Sequence, residues 1–130
     1  MQKIIFLFLL SVASTGIHAQ TRSSNPLAQT QWKGTLRLET PTDAILDFSK
    51  DSLIVFKAAD HSRIETMTYV VKDSLFTLIK TEGQSDCDNK VPGTYKFVIK
   101  GNGIDLTLVT DNCDDRSTVL MDTHWIKVSH

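Results

Sequence analysis

Cysteine is scarce in this chain of 130 residues; there are two, Cys87 and Cys113. Two are too few for a thiolate metal site, and no pair of histidines stands at metal-ligand spacing to complete one. Net charge is scarce too, at −1. Without a basic excess there is no electrostatic footprint for nucleic acid. The sequence has no Gly-x-Ser-x-Gly turn. His61 reads as a solvated loop residue beside Asp60 and Ser62, and His124 as a surface or rim residue beside Trp125. Nothing therefore gathers a nucleophile, a base and an oxyanion pocket. Asp86-Cys87-Asp88 lacks the Gly and distal Glu of a calcium-binding helix–loop–helix. No catalytic residue, metal or cofactor is assigned, and the expected role is not enzymatic. No window of a dozen residues carries a helical stripe.

The first residues do carry a signal. Lys3 is followed by the apolar run from Ile4 to Val12, then by small and polar residues ending Gly16-Ile17-His18-Ala19-Gln20. A core this short cannot cross ~30 Å of hydrocarbon as a helix. It reads as a secretory leader over 1–19, removed after Ala19. No later apolar run is long enough to span a membrane. The expected location is secreted or periplasmic. Residues 20–30 are rich in Ser, Thr, Asn and Pro and read as a flexible lead-in. Residues 31–130 then form one small domain.

From Gln31 onward apolar residues recur at every second position. Trp32, Gly34, Leu36 and Leu38 alternate with Lys33, Thr35, Arg37 and Glu39; Tyr95, Phe97 and Ile99 form a second set; Ile104, Leu106 and Leu108 form a third. This is the period of a strand with one buried face. Lys50-Asp51-Ser52 and Lys72-Asp73-Ser74 echo each other at tight turns, and Asn102-Gly103 reads as a type I′ hairpin. Eight strands follow, over 31–39, 44–49, 52–57, 63–72, 74–81, 93–100, 104–110 and 117–128. Short connections between successive strands make an up-and-down meander. Pairing the first strand with the last removes both free edges. The expected fold is all-β, an eight-stranded antiparallel barrel, with an open sandwich as the alternative.

Two cysteines in an exported chain read as one disulfide, Cys87 to Cys113. The meander supports this, because the loops holding them share one end of the barrel. That end also collects Glu39, Asp43, Asp60, Glu82, Asp86, Asp88, Asp111, Asp114 and Asp115. It reads either as ordinary solvated turns or as an acidic mouth for a basic partner.

The stretches Gly93-Thr94-Tyr95-Lys96-Phe97, Ile104-Asp105-Leu106-Thr107-Leu108 and Asp111-Asn112-Cys113-Asp114-Asp115-Arg116, with Trp125 and the opening Trp32-Lys33-Gly34-Thr35, resemble bacterial exported lipocalin-like domains. The resemblance implies a calycin-type barrel that takes a small apolar ligand. It also implies a cation over the first-strand Trp. With the first and last strands paired, Lys127 rather than Arg116 lies at the right end to supply it.

By alternation, Tyr69, Tyr95, Phe97, Leu106 and Leu108 point inward and are the expected ligand-binding residues. Two functions stay open. One is a binding protein for a small apolar or amphipathic ligand. The other is a filled-core barrel that engages a basic protein partner, as an inhibitor or interaction module, through its acidic, disulfide-tied loops.

Overall fold

The computed structural model describes residues 24–129, so the leader expected over 1–19 lies outside the described residues. The strands are β1 (Thr30–Leu36), β2 (Thr42–Phe48), β3 (Ser52–Lys57), β4 (Arg63–Lys72), β5 (Leu75–Gly83), β6 (Pro92–Lys100), β7 (Gly103–Asp111) and β8 (Thr123–Lys127). One helix, α1 (Asp114–Leu120), lies between β7 and β8. Each strand pairs antiparallel with the next, and β1 pairs with β8 to close the barrel. The seam runs Trp32↔Lys127, Lys33↔Ile126 and Gly34↔Trp125. Lys127 Nζ lies 5.9 Å from the centre of the Trp32 ring, the contact expected of the near end of the last strand.

Burial alternates along the strands as the period of two requires. In β4 the inward set is Glu65, Met67 and Tyr69; in β5 it is Phe76, Leu78 and Lys80. Inward aromatic rings fill the barrel. Phe48 meets Tyr69 edge-on at 5.1 Å and Phe76 at 6.1 Å; Phe76 stacks on Tyr95 at 5.7 Å and meets Phe97 at 6.0 Å. Such pairs add about 0.5–1.5 kcal/mol each beyond the area they bury.

Three expectations are corrected. First, residues 117–128 are not one strand. Asp114–Leu120 is helical and only Thr123–Lys127 is extended. The helix is short, with Arg116 and Leu120 buried at an i,i+4 spacing. A stripe this brief is invisible to a twelve-residue window. Asp111 Oδ1 accepts the Cys113 N–H at 2.9 Å, and Ser117 N–H donates to Cys113 O at 3.0 Å. Turn chemistry thus outweighs strand propensity here.

Second, the lead-in is anchored from Asn25 onward. Leu27 has no exposed surface and belongs to the core. Asn25 Oδ1 accepts the Leu27 N–H at 3.0 Å, Thr30 Oγ1 donates to Leu27 O at 2.5 Å, and Asn25 Nδ2 donates to the Tyr69 hydroxyl at 3.0 Å. Tyr69 donates in turn to Ser49 O at 2.6 Å. Leu27 therefore plugs the end of the barrel remote from the disulfide.

Third, the β6–β7 turn is centred one residue earlier than Asn102-Gly103. Lys100 pairs with Gly103, leaving Gly101 and Asn102 as the turn. Only Gly101 has positive φ, at 57°. Positive φ at the first turn position alone marks type II′, which glycine suits.

Candidate functional site

With one end plugged by Leu27, the disulfide end is where the interior meets solvent. The Cys87–Cys113 bond joins the β5–β6 loop to the N-cap of α1. The bond holds α1 over the β6–β7 side of the rim. The β1–β3–β4 side stays open as a recess of about 510 Å³.

Its apolar walls are Leu36, Val55, Ile64, Met67, Val119 and Leu120. Each comes from a different turn of the same logic. Leu36 and Val55 are inward residues near the strand ends of β1 and β3, Ile64 and Met67 come from β4, and Val119 and Leu120 are the barrel-facing side of α1. Arg37, Leu38, Glu39, Asp114, Asp115 and Thr118 also line it. Arg37 Nη2 donates to Asp122 O at 3.0 Å, tying the segment just after β1 to the turn after the helix.

Two charged side chains stand inside this apolar cup. Glu65 is 7 % exposed and Arg116 5 %. Charges are rarely buried without partners, and both have them. Ser85 donates to Glu65 twice, from Oγ at 2.6 Å and from N–H at 3.3 Å. Lys80 Nζ lies 4.0 Å from the Glu65 carboxylate and also donates to Ser85 O. Gly83 abuts the same carboxylate: a Cβ there would come within 2.3 Å of it.

Arg116 holds Asp111 with two parallel bonds, Nε at 2.6 Å and Nη2 at 2.7 Å, and Nη2 also donates to Val91 O at 2.9 Å. Tyr95 donates to the same carboxylate at 2.6 Å. Burial alone would raise the Asp111 pKa; the bonds from Arg116, Tyr95 and the Cys113 N–H outweigh it and leave the carboxyl below its ordinary value. Burial and the bond to Asp111 together push the Tyr95 phenol up. Desolvation works against the Arg116 charge, and Asp111 more than restores it. Asp111, Arg116 and Tyr95 are thus a neutralised unit that seats α1 on the barrel. Gly93 makes room for it, since a Cβ there would sit 2.2 Å from Asp111 Oδ2.

The residues expected from the sequence to bind ligand lie elsewhere. Tyr69, Tyr95, Phe97 and Leu106 are buried in the packed core, and Leu108 packs partly buried against it. Their inward phase is as expected, but the recess draws on a different set. Cys87 and Cys113 are bonded to each other. His124 Nδ1 lies 2.5 Å from Asp105 Oδ1 on the exposed outer face. Among the described residues no group of three or more His, Cys, Asp or Glu is placed to hold a metal ion. Among them, too, no helix is long and apolar enough to cross a membrane. Sequence reasoning missed Glu65 and Arg116. For Glu65 a signal existed: it takes an inward position in the series Glu65, Met67, Tyr69.

The arrangement defines a closed antiparallel barrel with one plugged end and one concave, mostly apolar mouth. No family model, curated protein or solved structure matches the chain.

Proposed function

We propose that this is an exported lipocalin-like binding protein, not an enzyme, whose small apolar or amphipathic ligand sits in the recess at the disulfide-tied end. The observation that carries the reading is the recess itself. Its volume of about 510 Å³ falls within the ~300–1,000 Å³ range of small-molecule pockets, and it pairs aliphatic walls with a few fixed polar groups. The Cys87–Cys113 bond supports an oxidising compartment, secreted or periplasmic. Titration with the neutral dye Nile red tests the reading. Fluorescence should rise on binding and be lost in Val119→Trp, which fills the recess from α1. Val70→Trp, on the exposed outer face, should bind as the parent does. Equal binding by all three proteins would sink the proposal.

A second reading is favoured by the packed aromatic interior. The same mouth carries Glu39, Asp114 and Asp115, and a basic protein could dock on it. Binding of that kind would weaken steeply with salt and survive mutations inside the barrel.

A further inference from the structure

One residue lining the recess carries a buried polar atom that is left unsatisfied. Arg116 lines the recess, and its Nε and Nη2 are spent on Asp111 and Val91 O. Its Nη1 is buried and finds no acceptor among the described residues. A buried donor without a partner has given up its bonds to water with nothing in return, and the loss is greater when the group is charged. An acceptor delivered to Nη1 relieves that cost. Because Nη1 is covered, the acceptor must push aside the atoms over it, which favours a small head.

The surrounding charges decide what kind of acceptor this is. Four acids line the recess, Glu39, Glu65, Asp114 and Asp115, against Arg37 and Arg116. The Arg116 charge is already matched by Asp111 at 2.6 Å, while Lys80 stands at 4.0 Å from Glu65. A carboxylate brought to Nη1 meets a cation that is taken and a surround with an acidic excess. A carbonyl oxygen accepts the same hydrogen bond without that repulsion. An ammonium would be drawn to the acids but would leave Nη1 unpaired.

We propose that the recess selects an apolar molecule bearing an uncharged hydrogen-bond acceptor (an ester, amide or ketone) over the matching carboxylate, with the acceptor on Arg116 Nη1. This rests on the reading of the recess as a ligand site. The test uses the full chain with its disulfide intact. Methyl decanoate, decanoate and decylamine share one chain length and differ in head; each is titrated against bound Nile red near neutral pH. The ester should bind at least about tenfold more tightly than either charged analogue, a gap of about 1.4 kcal/mol. Nitrogen-detected NMR of the parent protein should show the Arg116 Nη resonances moving with the ester. Decanoate or decylamine matching the ester would overturn the selectivity. An ester that binds while those resonances stay still would overturn the role of Arg116. Failure of Nile red and all three ligands to bind would instead remove the underlying reading of the recess.

Discussion

Gly34 and Trp125 face each other across the seam that closes the barrel, so closely that a Cβ on Gly34 would lie 2.5 Å from Trp125 Cε3. The indole is fully buried and its Nε1 donates to Thr123 Oγ1 at 2.8 Å, so it cannot swing aside freely. Gly34→Ala should therefore force β1 and β8 apart or distort the ring. We expect a loss of about 1–3 kcal/mol in urea unfolding, the usual cost of overpacking. A variant as stable as the parent would show that the ring tolerates the methyl.

The barrel was legible because its strands obey the period of two almost throughout. Trp32, Leu36, Tyr95, Phe97, Ile104 and Leu106 are all buried where alternation put them. The pairing of the cysteines followed from there being two of them in a chain read as exported, and the meander supported it by bringing their loops to one end. What stayed hidden obeys shorter-range rules. α1 is a brief helix started by Asp111 and by a bonded Cys113. Leu27 is the one large aliphatic side chain in the stretch 20–30, where no period can flag it. The recess exists because α1 caps only one side of the rim, and so it was illegible for the same reason as the helix.

Leu27 should behave as a core residue despite standing before the first strand. Leu27→Ala removes fully buried aliphatic surface and leaves a cavity over the aromatic cluster. Large-to-small changes of this kind cost about 2–5 kcal/mol. Thermal or urea unfolding would report it. A loss below about half a kcal/mol, normal for surface positions, would mean that this segment does not plug the barrel.

The disulfide spans 26 positions. The chain-entropy model assigns a loop of this size about 3–4 kcal/mol. The Cys87→Ser/Cys113→Ser double variant should lose a stability of that order. It should also lose Nile red binding before it unfolds, because the bond fixes α1, one wall of the recess, to the β5–β6 loop. Unchanged dye affinity in the folded double variant would show that the wall stands without it.

The buried pair of Asp111 and Arg116 predicts an acid-sensitive fold. The Asp111 pKa in the folded protein lies below its ordinary value of 3.8. The unfolded chain therefore binds the proton more readily than the folded one. The contribution of Asp111 is then present in full above about pH 4 and is lost as pH falls through the folded-state value. Asp111→Asn leaves the guanidinium buried without its counter-charge and should cost about 3–5 kcal/mol near neutral pH. It should also flatten the acid limb, because no carboxyl remains there to titrate. Urea unfolding of parent and variant from neutral pH down to about pH 2 checks both statements together. If the two curves stay parallel down the acid limb, other carboxylates carry the acid response. If Asp111→Met/Arg116→Met keeps stability near the parent's, the pair serves to seat α1 rather than to stabilise the barrel, since replacing both charges removes the desolvation cost along with the attraction.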